Sequence, residues 1–340
     1  MTPRPLTTPR FLSRLVASTT LLGALVLAGC GTQDALVGLH PAPAEQTASA
    51  PLDTEGATAV AARLLAAAGA PAQGDAKAAA AARAQVLTGD ALRVANADAA
   101  RATPQPEGTE LAPEPTPTVV AQSQGRQWPR AILATTLDEP TNTQWLHVMV
   151  SDEPDQPFKI ASSVPMFPGT TLPALGEQLA GAPLLETTAE NGLPLSPAAA
   201  VTAYAGALAH PKPKASTAVA VDDPFAERLK AAAAVQSKAL GKLATLTQAH
   251  TPVPDDAITF RLADGGAVTF ALLGRTDTIS VRPRAKELVL PAEYAKLVGK
   301  KKVTRSLTLA NLEPIVMIVP KTGRAEVIGA RDLLTSGKAR

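Results

Sequence analysis

The chain has a single cysteine, Cys30, and it stands at the end of an apolar run. Three arginines precede that run, which extends from Leu15 to Leu27, and small residues lead from it into the cysteine. A positively charged start, an apolar stretch too short to span a bilayer and small residues before a cleavage point are typical of a secretory signal. One cysteine cannot form an intrachain disulfide, so packing alone must stabilise the folded part.

The four residues Leu27-Ala28-Gly29-Cys30 resemble the lipobox of bacterial lipoprotein signals. The resemblance implies cleavage between Gly29 and Cys30 and diacylation of the Cys30 thiol. It also implies a protein held at the extracytoplasmic face of the cell membrane by an N-terminal lipid. The alternatives are an ordinary signal peptide, residues 1–29, with a cysteine there by chance, or a short membrane anchor.

Charged residues are divided unevenly along the chain. Removal of residues 1–29 takes away three of 32 basic residues and no acid, which leaves 29 basic and 30 acidic residues. The net charge of +2 therefore belongs to the signal and does not favour a nucleic-acid partner. Residues 30–209 hold 8 Lys and Arg against 18 Asp and Glu, whereas residues 210–340 hold 21 against 12. This split predicts two units with separate surfaces.

Aromatic residues make up only 3% of the chain, so the cores must be built from Leu, Val, Ile and Ala. The scarcity of aromatic rings speaks against base-stacking platforms and aromatic carbohydrate clefts.

The first predicted unit, residues 53–165, follows a Thr-, Ala- and Pro-rich segment, residues 30–52, that predicts a flexible tether. Capping residues and helical periodicity predict three helices, over residues 53–69, 75–87 and 91–102. Five prolines between Thr103 and Thr118 predict an extended connector. Alternating patterns then predict strands at 119–123, 131–137, 144–151 and 158–164.

The second predicted unit, residues 196–330, repeats this plan after a Pro- and Gly-rich connector, residues 166–195. Helices are predicted over 196–209 and from about residue 223. Strands are predicted at 257–262, 267–273, 276–281, 287–290, 303–310, 315–319 and 324–328. Residues 331–340 are predicted to form a tail. Helices followed by antiparallel strands, twice over, predict an α+β fold of two tandem helix-then-sheet units.

This order of elements resembles cystatin-like and nuclear-transport-factor-like cones, in which a helix packs on the concave face of a curved sheet. Several short motifs are also similar to a group of actinobacterial lipoproteins of unknown function. Those motifs are Leu87-Thr88-Gly89-Asp90-Ala91-Leu92, Trp128-Pro129-Arg130, Pro168-Gly169, Asp264-Gly265-Gly266-Ala267-Val268 and Val327-Ile328-Gly329-Ala330. The resemblance covers most of residues 55–330 and supplies no catalytic residue.

Residues with catalytic or metal-binding chemistry are scattered. The four histidines, His40, His147, His210 and His250, are far apart, and none has a second ligand at helix or hairpin spacing. Gly-x-Ser-x-Gly, Ser-x-x-Lys, phosphate-loop and His-Glu-x-x-His motifs are absent. The pairs Asp138-Glu139 and Asp152-Glu153 precede prolines, which is typical of solvated turns. We expect no catalytic residue, no metal site and no cofactor.

The basic residues of the second unit form the one surface signal. Arg282, Arg284 and Lys286 alternate along a predicted strand face, and Lys300, Lys301 and Lys302 follow. Such a cluster fits contact with anionic lipid headgroups or an acidic wall polymer. The alternative is protection of an exposed edge strand against aggregation.

The sequence therefore predicts a lipid-anchored envelope protein that acts as a non-catalytic binding or interaction module, with the membrane and an envelope protein or anionic surface as partners. The alternative is a small-ligand carrier or enzyme with a pocket inside one cone. A deep polar cavity holding a carboxylate would favour that alternative, and solid cores would favour the binding module.

Overall fold

The computed structural model describes residues 49–70, 74–101, 116–254 and 257–340. These residues belong to one compact unit that runs from Thr47 to Arg340. The signal, Cys30, the predicted tether up to residue 48 and most of the proline-rich connector lie outside the described residues.

Three helices begin the described chain: α1 (Thr54–Gly69), α2 (Ala76–Val86) and α3 (Gly89–Arg101). Aspartates cap the first two, because Asp53 accepts from the Gly56 N–H at 2.7 Å and Asp75 from the Ala78 N–H at 2.8 Å. The three predicted helices are therefore confirmed within a few residues.

A four-stranded antiparallel sheet follows, in the order β1 (Thr118–Gln122), β2 (Arg130–Asp138), β3 (Thr143–Ser151) and β4 (Lys159–Pro165). Alternate residues of these strands point to opposite faces. One face, with Ile132 and Met149, packs against helices α1 and α3. The other face, with Leu133 and Val148, is buried against the second sheet. The first sheet is thus a layer with apolar cores on both sides.

Two helices, α4 (Pro197–Leu208) and α5 (Pro224–Leu240), precede the second sheet. The other elements are β5 (Ala244–Pro252), β6 (Ile258–Arg261), β7 (Ala267–Val281), β8 (Leu288–Val289), α6 (Ala292–Val298), β9 (Lys302–Val303), β10 (Ser306–Val319), β11 (Glu326–Ala330) and β12 (Leu333–Ala339). The second sheet has the order β11-β10-β7-β5, with β12 paired to β10 and β6 paired to β7. Strands β8 and β9 pair with each other as a separate small sheet. The prediction of an α+β fold with antiparallel sheets is confirmed.

Three features of the second sheet differ from the sequence prediction. Each of β7 and β10 is one long strand where two were predicted, because polar residues such as Arg275 and Glu313 interrupt the apolar pattern but not the pairing. Strand β5 was not predicted, because its inward positions include Gln248 and His250. The predicted tail forms β12, which pairs with β10.

The two sheets share a core. Leu133 and Val148 of the first sheet lie in the same buried cluster as Phe270 and Val316 of the second. The two halves therefore do not pack as separately cored units, although each keeps its predicted helices and strands.

The segment predicted as a connector, residues 166–195, joins the two sheets by hydrogen bonds. The Ala182 N–H donates to the Gln122 carbonyl of β1 at 2.7 Å, and the Leu185 N–H donates to the Thr259 carbonyl of β6 at 2.9 Å. Met166 forms a bridge with Gly329 of β11. This segment is thus part of the folded core structure as well as a surface connection.

Candidate functional site

The basic residues singled out in the sequence lie together at one end of the second sheet, but not as predicted. Strand β7 ends at Val281, so Arg282, Arg284 and Lys286 lie in the loop after it and do not alternate along a strand. Lys300 and Lys301 follow α6, and Lys302 begins β9. All six side chains are exposed. Cys30 lies outside the described residues.

A cleft of about 910 Å³ opens where the two sheets meet, and we call it the Trp128 cleft. The turn between β1 and β2, the 183–188 segment, helix α4 and the loop after β5 form its walls. The apolar lining includes Trp128, Pro129, Pro183, Leu184, Val253 and Pro254. The polar lining includes Gln124, Gln127, Glu186, Thr187 and Thr202.

The indole of Trp128 is held by its neighbour Arg130. The guanidinium carbon of Arg130 lies 3.9 Å from the centroid of the Trp128 ring, a cation–π contact. Arg130 is the first residue of β2, so the ring is fixed to the first sheet. This contact pre-orients an aromatic surface at the cleft, which lowers the entropy that ligand binding would cost.

Hydrogen bonds also fix the other walls of the cleft. The Gln124 N–H donates to the Ala182 carbonyl at 2.9 Å. The Thr187 hydroxyl donates to the Ala257 carbonyl at 3.3 Å. The cleft is therefore a preformed concave surface, as ligand sites usually are.

Glu186 is the one ionisable side chain among the described lining residues. Its Oε1 atom accepts from the Thr188 hydroxyl at 2.9 Å. The remaining lining offers apolar contact and neutral hydrogen-bonding groups. Such a lining fits a mainly apolar, uncharged ligand.

The sequence did not reveal this cleft, because its lining residues come from five separate parts of the chain. The Trp128-Pro129-Arg130 motif was the one available signal, and it was assigned to strand geometry.

A buried ionic network, which we call the Arg275 network, crosses β5, β7 and β10. Arg275 donates to Glu313 at 2.7 Å, to Asp277 at 3.2 Å and to Asp332 at 3.2 Å. His250 Nδ1 lies 2.8 Å from the other oxygen of Glu313. Relative exposure is 7% for Arg275 and 0% for Glu313. Three carboxylates thus share one buried guanidinium.

The network separates two apolar cores on the helix-covered face of the second sheet. Leu273 and Ile315 lie on one side of it and Ile279 and Leu309 on the other. Burial opposes the charge of Arg275, but the surrounding carboxylates outweigh this effect and raise its pKa. The network is therefore a structural element within a large sheet.

Two further buried ionisable groups lie outside the cleft. His147 is buried in β3, where its two ring nitrogens lie 2.9 Å from the Thr136 and Ser163 hydroxyls. Burial lowers its pKa to about 4. Asp90 is buried in the first turn of α3, where burial raises its pKa to about 7 against the opposing effect of Arg93.

The structure also forms an aspartate–tyrosine pair that the sequence did not reveal. The Tyr204 hydroxyl donates to Asp223 at 2.9 Å. The other carboxylate oxygen of Asp223 accepts from the Phe225 and Ala226 N–H groups and so caps α5. Burial raises the pKa of Tyr204, which lies within an apolar cluster. The pair is therefore a structural cap.

The described residues include neither a helix that could span a membrane nor a cluster of metal ligands. None of the helices in ranges 49–70, 74–101, 116–254 and 257–340 is long and apolar enough to cross a bilayer. In the same part of the chain, no group of three or more His, Cys, Asp or Glu residues is arranged to hold a metal ion.

A family model described as a domain of unknown function, DUF8094, matches residues 70–339. The chain belongs to the DUF8094 family. The DUF8094 match covers both sheets, the Trp128 cleft and the basic residues, and it begins directly after α1. Comparison with curated proteins and with solved structures gave no match.

Proposed function

We propose that this DUF8094 protein is a lipid-anchored envelope protein of actinobacterial type. In this proposal it is attached through Cys30 at the extracytoplasmic face of the cell membrane and acts as a non-catalytic binding module. Its ligand site is the Trp128 cleft. The ligand is a mainly apolar, uncharged segment of extended polypeptide, such as a proline-rich stretch of another envelope protein.

The observation that carries the binding role is the lining of the cleft. An indole fixed by Arg130 stands in an apolar wall with Pro129 and Pro183, and Gln124 and Gln127 supply neutral hydrogen-bonding groups beside it. Aromatic surfaces next to amide side chains suit extended proline-rich segments, which are already ordered before they bind.

The path of the chain supports attachment near this cleft. The Gly125 N–H donates to the Ser49 carbonyl at 3.0 Å, and the Ala50 N–H donates to the Leu179 carbonyl at 2.9 Å. Ser49, the first described residue, therefore lies against Gly125, three residues before Trp128. A ligand segment on a membrane-associated partner would meet the cleft there.

A small-ligand carrier is the second candidate, because a cleft of about 910 Å³ is as large as typical small-molecule sites. The cleft lies between the two sheets, not inside one helix-and-sheet layer as the cone comparison implied.

Tryptophan fluorescence tests the cleft, because the chain has two tryptophans, Trp128 and Trp145. Trp145→Phe leaves Trp128 as the sole indole, and we expect its emission to change saturably on titration with a proline decamer. A Gly-Ser decamer should leave the emission unchanged.

Binding of a fluorescein-labelled proline decamer, followed by anisotropy, gives the matched comparison. Trp128→Ala should weaken binding at least about 30-fold, the effect of losing a central aromatic anchor. Thr202→Arg, at an exposed cleft position, should block it, and Trp145→Phe should leave it unchanged. An affinity unaffected by Trp128→Ala would contradict the peptide proposal. The small-ligand carrier would be favoured by two results together: the proline decamer does not bind, and an apolar dye binds only when Trp128 is present.

Cys30 is tested separately by mass spectrometry of the protein purified from membranes. We expect a diacylated N-terminal Cys30 and release from the membrane fraction on Cys30→Ser, because two acyl chains bury many methylenes at about 0.8 kcal/mol each. An unmodified N-terminus would contradict the anchor.

A further inference from the structure

The end of the second sheet beyond β7 is strongly basic. Residues 282–305 form the loop after β7, strands β8 and β9, helix α6 and the turn into β10. This segment, which we call the basic end, contains eight Lys and Arg residues and two Glu residues. A local excess of six positive charges creates a field that attracts anions.

Most of these charges have no side-chain partner among the residues that the structure describes. Lys302 Nζ bonds Glu287 at 2.5 Å, and Lys300 Nζ donates to the Ala339 carbonyl at 3.1 Å. Within the described residues, no side-chain hydrogen bond or ion pair is formed by Arg282, Arg284, Lys286, Lys301 or Arg305. All five side chains are exposed, so they are free to contact another surface.

Two exposed apolar side chains stand among the cations. Val289 is 72% exposed and lies directly opposite Lys302 in the β8–β9 pair, so both point to the outer face. Their neighbours Leu288 and Val303 point inward to the core. Leu243, 50% exposed, is adjacent, because its carbonyl accepts from the Arg282 N–H at 2.8 Å. The basic end therefore presents apolar groups surrounded by cations.

Protection of an edge strand does not account for this arrangement. Strand β7 is paired on both sides, by β5 and β10, and is not an edge. Arg282, Arg284 and Lys286 lie beyond its end, in a loop and not along the edge of a strand. Lys302 alone among the predicted cluster lies in a strand of the small two-stranded sheet.

We propose that the basic end docks onto an anionic lipid bilayer, with Val289 and Leu243 entering the headgroup region. A lipid surface suits these residues better than an acidic polymer, because only the bilayer offers an apolar interior for the two exposed side chains. The proposal concerns a surface separate from the Trp128 cleft, and it does not depend on what the cleft binds.

The dimensions allow the basic end and a lipidated Cys30 to reach the same membrane. Ala271 of β7 lines the Trp128 cleft, and ten residue steps lead from it to Val281, which corresponds to about 33 Å of strand. Nineteen residue steps separate Cys30 from Ser49 and span at most about 65 Å.

Vesicle flotation tests this docking with residues 30–340 carrying Cys30→Ser, so that no acyl chain contributes. We expect binding to vesicles of equal parts phosphatidylglycerol and phosphatidylcholine at low salt, much weaker binding at high salt, and none to pure phosphatidylcholine. The combined change Arg284→Gln, Lys286→Gln and Lys301→Gln should weaken binding about 100-fold, since each cation near an anionic surface contributes a factor of about five.

The matched control removes the same number of exposed charges elsewhere: Lys77→Gln, Lys212→Gln and Lys321→Gln. It should change the affinity less than about threefold, and neither triple variant should shift the melting temperature appreciably. If the first triple variant does not fold, Lys301→Gln alone should give a loss of about fivefold.

Val289→Ser combined with Leu243→Ser separates a bilayer from a polymer contact. We expect about tenfold weaker vesicle binding with the same salt dependence, because the apolar contribution alone is lost. The proposal would be overturned if the control triple variant lost as much vesicle affinity as the Arg284, Lys286 and Lys301 triple variant. Unchanged vesicle affinity in the latter would also overturn it. An unaffected Ser double variant, together with tighter binding to polyglutamate than to vesicles, would assign the surface to an anionic polymer instead.

Discussion

Removal of Arg275 from the Arg275 network should cost a large part of the free energy of unfolding. Arg275 is 7% exposed and donates to three carboxylates, Glu313, Asp277 and Asp332, at 2.7 to 3.3 Å. Arg275→Leu removes their shared cation and leaves buried negative charge without compensation. Removal of one partner of a buried ionic group costs about 3–5 kcal/mol. Whole domains have unfolding free energies of about 5–15 kcal/mol, so this change removes a large fraction of the total.

Urea unfolding followed by tryptophan emission measures that cost. The matched control is Arg324→Leu, because Arg324 and its partner Asp222 lie 3.9 Å apart with side-chain exposures of 58% and 73%. An exposed pair of this kind contributes about 0–1 kcal/mol. The contrast between the two arginines isolates the effect of burial from the loss of a positive charge.

A double-mutant cycle tests whether the cost comes from uncompensated charge. Glu313→Leu also removes a member of the network, and the double variant Arg275→Leu with Glu313→Leu should be destabilised less than the sum of the single changes by about 2 kcal/mol or more. A loss below about 1 kcal/mol for Arg275→Leu, or additive single changes, would refute this reasoning.

Three further predictions concern close packing and two buried titrating groups. A Cβ at Gly329 would lie 2.5 Å from the Pro165 carbonyl oxygen. Gly329→Ala should therefore lower the free energy of unfolding, measured in urea, by about 1–3 kcal/mol. Gly69 has open space around it, so Gly69→Ala should be nearly neutral. The pKa of Asp90 is raised to about 7, so the native state holds an extra proton between pH 4 and 7. The unfolding free energy should therefore fall by up to about 4 kcal/mol as pH rises through that window. Asp90→Asn should abolish this fall when stability is measured across pH, and an unchanged slope would contradict it. The pKa of His147 is lowered to about 4, so between pH 4 and 6.5 the unfolded state holds the extra proton. The unfolding free energy should therefore fall as pH is lowered through this window, the opposite of the Asp90 effect. His147→Gln should remove this loss of stability on acidification when unfolding is measured across pH.

Elements whose stability is local could be read from the sequence. Asp53 and Asp75 mark helix starts because their carboxylates satisfy N–H groups three residues away. Strands β1 to β4 could be predicted because each is a short apolar run bounded by turn residues, and the structure buries both faces of their sheet. The α+β class came from the order of these local elements.

Elements that depend on distant partners could not be read in this way. Strand β5 places Gln248 and His250 inward. Polar side chains can be buried there because other strands supply polar partners, Arg275 on β7 and Glu313 on β10. The tail becomes β12 because β10 offers it a free edge. The two sheets share a core because apolar side chains of both, such as Leu133 and Phe270, pack in one buried cluster.

The sequence by itself determined the helices, most strands, the signal-like start with Cys30 and the position of the basic residues along the chain. Only the tertiary structure decided that those basic residues lie beyond the end of a central strand, and that Trp128 faces residues more than a hundred positions away across a cleft. The physical reason is that local patterns encode backbone hydrogen bonding and one-sided burial, whereas sites arise from contacts between segments whose meeting depends on the whole core.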